Sequence, residues 1–207
     1  MAERLRICPL VLAGGQSRRM GRDKAALQLP GGETLLSRAI NLLQSLPTVE
    51  GIEWLSPRVS GARPGGIADR GPARGPLSGL WAVSESLREA QVSCDGLLAV
   101  PVDMPLLQRT QLLTLCRAAR AGASAACFGR YRLPLWLRLD DDGRSYLRRI
   151  AAGDGGGDAS LGALLAALGG EQLPVPAGDW HCNVNRPEEF ARVNARLDAL
   201  SGPQAVE

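Results

Sequence analysis

The chain has 207 residues, 45% of them apolar and only 4% aromatic, with a formal net charge of +3. That length suits one generous domain with a core of its own, and so balanced a charge is not the footprint of a nucleic-acid binder. No apolar run approaches a membrane span, and five cysteines with no CxxC spacing argue against a disulfide frame or a zinc site, which leaves reduced, buried thiols in a cytoplasmic protein as the expectation.

Residues 7–12 form a continuous apolar run ended by Gly14-Gly15, the pattern of a central parallel strand buried on both faces. Arg4 and Arg6 ahead of this run imitate a short signal peptide. The stretch is short, however, and leads straight into a segment that reads as chemistry, so a strand is expected. Thr34 caps a helix reaching about Leu46, with apolar residues at Leu35, Leu36, Ala39, Ile40 and Leu43. A short strand follows at 52–55, and 56–75, rich in Gly, Pro and Arg, is expected to be mostly loop. Pro76 opens a helix over 77–90.

A second apolar run at 96–102 ends in Pro101-Val-Asp-Met-Pro105, and 107–121 is helical. Residues 124–128 and 133–139 read as strands able to pair. A Gly/Asp tract at 153–158 separates two short helical segments. A last strand is expected near Val175 and a final helix at 188–200, with fraying from Ser201. Strands alternating with helices imply a three-layer α/β sandwich with a mostly parallel sheet. Ligands in such folds sit beyond the carboxyl ends of the strands, which is where the two most unusual segments fall.

The first is Leu12-Ala-Gly-Gly-Gln-Ser-Arg-Arg-Met-Gly-Arg-Asp-Lys24. Gly14 and Gly15 allow a sharp bend and a close approach to ligand, and backbone N–H groups there can point at phosphate oxygens. Ser17 adds a hydroxyl, and Arg18, Arg19 and Lys24 add the positive charge that a triphosphate needs. It is neither a Walker A loop, because Ala25 follows Lys24, nor a GxGxxG fingerprint. On residue types alone, a solvated Gly/Arg turn fits equally well. The second segment places Asp103 where a buried strand leaves the sheet. There a carboxylate could ligate Mg²⁺ on a triphosphate, or simply bond its own turn.

The order Leu12-Ala-Gly-Gly-x-Ser17-x-Arg19-Met-Gly-x-Asp-Lys24 resembles the N-terminal signature of the molybdenum cofactor guanylyltransferases, the MobA family of Rossmann-like nucleotidyltransferases. The resemblance spans roughly residues 11–190. It implies a single domain over 1–207, with a nucleotide half at about 1–106 and an acceptor half at about 107–200. The implied reaction transfers GMP from GTP to molybdopterin and releases pyrophosphate. Lys24, Arg19 and Asp103 would be catalytic, and Asp103 would hold Mg²⁺. The nucleotide would meet Leu12, Ala13, Gly14, Gly15, Ser17, Lys24, Asp69, Gly75 and Asp103. Asp69 followed by Gly75-Pro-Leu-Ser-Gly79 resembles a further family segment, although Gly75-Pro76 is equally a helix start.

Asn183-Val-Asn185-Arg-Pro-Glu188 resembles the family's late Asn-x-Asn motif. Its two amides share one face of an extended chain and would meet the acceptor, or Asn185 would cap the final helix. Arg130 and Arg132 would receive the acceptor phosphate, or form a solvated basic face. His181 is expected to be a loop histidine. The chain departs from the family at Ser56-Pro57, where an asparagine is common, at Leu133-Pro134 in place of His-Pro, and at 154–158, which lacks an expected arginine. The partners implied are GTP, molybdopterin and molybdoenzyme maturation proteins, with no nucleic acid or membrane, for a monomer or weak oligomer. The competing readings are a molybdopterin cytidylyltransferase, another small-molecule nucleotidyltransferase, and a non-catalytic GTP-binding maturation adaptor.

Overall fold

The first strand, β1 (Leu5–Leu12), has side chains buried on both faces from Ile7 onward, and everything else is arranged around it. The computed structural model describes residues 4–14, 23–70, 75–154 and 159–201. Parallel neighbours flank β1. On one side lies β4 (Gly96–Pro101), and on the other β2 (Ile52–Trp54) and β3 (Arg58–Ser60) share the edge in tandem. The tandem arrangement follows from Pro9. Ile7 O accepts from Leu55 N, and Ala13 N donates to Ser60 O, so odd-numbered residues of β1 turn their backbone groups to this edge. Pro9 faces it too and has no N–H to give. The edge strand breaks there, between β2 and β3.

The full sheet order is β2-β1-β4-β6-β5-β7, with β3 beside β1. The strands β5 (Ala125–Phe128) and β6 (Tyr131–Arg138) form the expected hairpin. The hairpin folds back so that β6 lies antiparallel between β4 and β5. Wedge packing fixes this. Gly96 of β4 lies directly under Trp136 of β6, where any side chain would collide with the indole, and Trp136 Nε1 donates to Ala123 O at 2.9 Å.

Among the described residues, six α-helices cover the two faces. Residues Ile7, Val11, Leu98, Val100 and Trp136 meet α1 (Leu35–Gln44), α3 (Arg109–Arg120) and α6 (Pro187–Ser201). The alternate residues Cys8, Leu10, Leu97, Ala99 and Leu137 meet α2 (Pro76–Glu89), α4 (Asp141–Ala152) and α5 (Leu161–Ala167). This is the three-layer sandwich that the alternating pattern predicts, since period-two strands present one apolar set to each layer. The helix ends match the sequence signals. Thr34 and Ser37 form a capping box, and Gly153 ends α4 in the left-handed region at φ 96°.

Residues 56–70 are mostly loop, as expected, but Arg58–Ser60 join the sheet and Ser60 bridges Ile67. One expectation is corrected. The last strand is β7 (Glu171–Leu173) and not Val175, which is 47% exposed. No helix among the described residues is long and apolar enough to cross a membrane. Cys8, Cys94, Cys116 and Cys127 are buried and free, as their count implies. Burial pushes the Cys8 and Cys116 thiols up to about 12, so neither is a reactive thiolate.

Candidate active site

Parallel pairing of Leu12 with Pro101 brings the ends of β1 and β4 to the same level, and Val102 N donates to Leu12 O at 3.1 Å. A cavity of about 470 Å³ opens there. Leu12, Ala13, Gly14, Lys24 and Asp103 line one side. Because β6 runs antiparallel to β4, the start of β6 lies at the same end, and Arg130, Tyr131 and Arg132 line the other side with His181 and Asn183.

Lys24 stands at the centre. Asp23 accepts from Ala25 N at 3.1 Å and so caps the single 3-10 turn Lys24–Ala26. From that turn Lys24 Nζ reaches Asp103 Oδ2 at 3.2 Å and Asn185 Oδ1 at 2.6 Å. Both carboxylate and ammonium are largely enclosed, with side chains 19% and 16% exposed. The backbone joins the same pieces, since Val184 N donates to Asp103 O at 2.8 Å. Three segments far apart in sequence therefore converge on one ammonium group. The Asn185 side chain faces Lys24, and its backbone N–H, with that of Arg186, donates to Glu189 Oε2 in the first turn of α6, at 2.6 Å and 3.1 Å.

Asp69 lies against Gly14, where a Cβ built on the glycine would stand 3.4 Å from Asp69 Oδ2. Gly14 does not occupy the left-handed region, so its lack of a side chain serves close approach rather than backbone strain. Asp69 Oδ1 is buried with no hydrogen-bond partner among the described residues, and burial holds this carboxyl above its ordinary value of 3.8. A carboxyl whose folded pKa is raised contributes stability below pH 3.8 and loses it as pH rises through the folded value. Asp69→Asn should therefore melt no lower than the parent at neutral pH, lose that advantage on acidification, and bind nucleotide about tenfold more weakly. Thermal melts across pH, together with nucleotide titration, measure all three. A variant that binds nucleotide normally removes Asp69 from the site.

Gly75 does not line the cavity. It is the N-cap of α2 at φ 62°, followed by Pro76. Gly79 explains the rest of that segment, since a Cβ there would sit 2.6 Å from Ser60 Oγ and 3.0 Å from Leu12 Cδ2. The Gly75–Gly79 stretch thus seats α2 close beneath the site. Gly15, Ser17 and Arg19 lie outside the described residues, as do 155–158 of the Gly/Asp tract.

At the far side Arg130 stacks 5.3 Å over Tyr131, and Arg132 Nη1 donates to Gly129 O at 3.3 Å. His181 is more than a loop residue. Its ring rests on Tyr131 at 4.5 Å, packs edge-on against Trp180, and buries Nδ1 without a partner among the described residues. The sequence gives no sign of this pairing because neither Tyr131 nor His181 sits in a motif. Only the hairpin and the Asn183 segment together bring them face to face. No group of three or more His, Cys, Asp or Glu residues able to hold a metal occurs among the described residues, and the carboxylates that line the cavity are those of Asp23 and Asp103.

A family model for the MobA-like NTP transferase domain matches residues 9–172, from within β1 to within β7. The chain belongs to that family. Molybdenum cofactor guanylyltransferases from Xanthomonas euvesicatoria pv. vesicatoria and Sinorhizobium fredii are among its curated relatives. The first is 37% identical over 188 residues, covering 89% of this chain and 92% of the relative. The second is 39% identical over 209 residues, covering 93% of each. Among solved structures, the molybdopterin-guanine dinucleotide biosynthesis protein A of Archaeoglobus fulgidus superposes with a TM-score of 0.70 at 17% identity, over 94% of this chain and all of that one. The 2-C-methyl-D-erythritol 4-phosphate cytidylyltransferase of Thermus thermophilus superposes at 0.61 with 19% identity, over 93% and 98%. At such identities these structures speak for the fold. In this MobA-like chain, Gly14, Lys24, Asp69 and Asp103 all fall inside the matched segment, and Asn183 and Asn185 fall beyond it.

Proposed function

We propose that this protein transfers GMP from GTP to molybdopterin, and the observation that carries the reading is Lys24 Nζ held between Asp103 and Asn185 at the mouth of the cavity. An ammonium paired with a carboxylate, beside the ends of two parallel strands, suits an anion that arrives with its own cation. Mg²⁺ characteristically uses one or two carboxylates and completes its shell with substrate phosphate oxygens and water. Asp103 meets that requirement, and bound Mg²⁺ would supply charge neutralisation on the triphosphate. Asp69 and the Leu12-Ala13-Gly14 backbone would receive the nucleoside, Gly15 and Ser17 its phosphates, and Arg19 would add charge with Lys24.

The acceptor's terminal phosphate oxygen attacks the α-phosphorus of GTP, the bond from that phosphorus to the bridging β-phosphate oxygen breaks, and pyrophosphate leaves. A phosphate monoester is already anionic at neutral pH, so no general base is required. Catalysis is positioning and charge neutralisation. Arg130, Arg132, Asn183 and Asn185 would orient the acceptor. The relatives at 37% and 39% identity bear the same activity in their names, which supports this reading over a GTP-binding adaptor. The substrates are small molecules, with molybdoenzyme maturation proteins as recipients of the product, for a monomer or weak oligomer in the cytoplasm.

The test is pyrophosphate release from each of the four nucleoside triphosphates with Mg²⁺ and molybdopterin. GTP should be used at least about tenfold better than CTP, since a site that pairs with guanine's donors leaves polar groups unmet by cytosine. Preference for CTP would replace the guanylyl reading with a cytidylyl one, and absence of turnover with every nucleotide, despite GTP binding, would favour the adaptor.

A further inference from the structure

We propose that Arg63, which no motif singles out, positions the Lys24 turn and thereby sets nucleotide affinity. This rests on the reading of Lys24 as the triphosphate contact. Arg63 Nη2 donates to Ala13 O at 2.6 Å, and Arg63 Nη1 pairs with Asp23 Oδ2 at 3.4 Å. One guanidinium therefore ties the end of β1 to the residue that caps the Lys24–Ala26 turn. The other carboxylate oxygen of Asp23 makes that cap. The line of force runs from Ala13 through Arg63 and Asp23 to Lys24, and from there to Asp103 and Asn185. Arg63 does not line the cavity itself, so its part is positioning.

The segment that presents Arg63 is tightly built. Gly61 N donates to Ile67 O, Arg63 N to Gly61 O and Gly66 N to Arg63 O, at 2.8 to 2.9 Å. Gly61, at φ 117°, presses against Ala13 and Gly14, where a Cβ would meet backbone atoms at 3.1 Å. A Cβ on Gly66 would stand 2.7 Å from Arg63 Cγ, so the glycine leaves room for the arginine stem. The side chain is 16% exposed, while its partner Asp23 is 55% exposed. Asp23 is thus a surface carboxylate whose orientation depends on a semi-enclosed cation. The planar fork reaches the carbonyl through one nitrogen and the carboxylate through the other, whereas a lysine would have to bring its single nitrogen close to both.

Without the fork, the turn carrying Lys24 would dock in only a fraction of molecules, and apparent nucleotide affinity falls by that fraction. Saturating nucleotide restores the docked arrangement, so turnover at saturation is spared. Arg63→Ala should weaken GTP·Mg²⁺ binding about tenfold, measured calorimetrically without acceptor, while kcat at saturating GTP stays within about twofold. Arg63→Lys should lie between the two. Added guanidinium, at concentrations too low to denature, should recover affinity in Arg63→Ala and leave the parent unchanged. A merely structural arginine would instead lower kcat and melting temperature together, with no recovery. Unchanged affinity in a folded Arg63→Ala protein, or loss of kcat equal to the loss of affinity, overturns the proposal. The titration is repeated with CTP. If the parent binds CTP more tightly, the guanylyl reading fails, and the Arg63 comparison is made with CTP and keeps its meaning.

Discussion

Asp103→Asn should lower kcat by roughly a hundredfold or more, the scale seen when one preorganised electrostatic group is removed from a transition state. The amide has the same shape, and Lys24 keeps its 2.6 Å bond to Asn185. The melting temperature should therefore fall by no more than a few degrees, because the enclosed ammonium keeps that partner and an amide oxygen still faces it. Asp103 also anchors the late segment, but it does so through its backbone carbonyl to Val184 N, which the substitution leaves in place. Turnover measured against Mg²⁺ concentration, alongside a melt, checks both halves of the claim. If the variant turns over normally at low Mg²⁺, Asp103 has no place in the reaction.

Lys24→Ala should weaken GTP binding roughly tenfold to a hundredfold, the worth of a charged hydrogen bond at about 1.5–3 kcal/mol. The effect has two sources. The triphosphate loses a cation, and Asp103 loses the ammonium 3.2 Å away that balances its charge. The second source makes the pair non-additive. In a double-mutant cycle, Asp103→Asn placed on Lys24→Ala should cost less nucleotide affinity than Asp103→Asn placed on the parent protein, because no ammonium is left uncompensated. Unchanged affinity in the single variant would show that Lys24 meets no phosphate, and strict additivity would show that the two side chains are not coupled.

Much of this was legible from the chain because the informative segments obey local rules. The alternation of Ile7, Val11, Leu98 and Val100 with Cys8, Leu10, Leu97 and Ala99 specifies a sheet covered on both faces, and helices take their limits from Thr34, Pro76 and Gly153. Placing Gly14 and Asp103 together needed only the rule that parallel strands deliver their ends to one edge. What stayed hidden depends on long-range meetings. The three residues of β3 carry no alternation of their own and become a strand because β1 offers an edge beyond Pro9. Arg63 looks like one more arginine of a Gly/Pro/Arg stretch until its guanidinium is placed on Ala13 and Asp23. The placing of the Asn185 amide depends on Lys24, 161 residues earlier in the chain, which no local rule connects to it.

The seam between β4 and β6 has a bearing on how the protein handles two substrates. Gly96 to Ala99 are zipped to Arg138 through Leu135, with the Trp136 indole seated on Gly96. The ladder thus ties the strand that leads to Asp103 to the strand that carries Arg132. Rotating one end of the cleft against the other would shear a ladder of backbone bonds and unseat a fully buried indole. The separation of the reacting groups is accordingly written into strand spacing, about 4.8 Å per step across a sheet, and not into a jaw that swings shut. An enzyme of this build works as a fixed jig. The paired strands hold the two ends of the cleft at one spacing, over which a nucleotidyl group would pass.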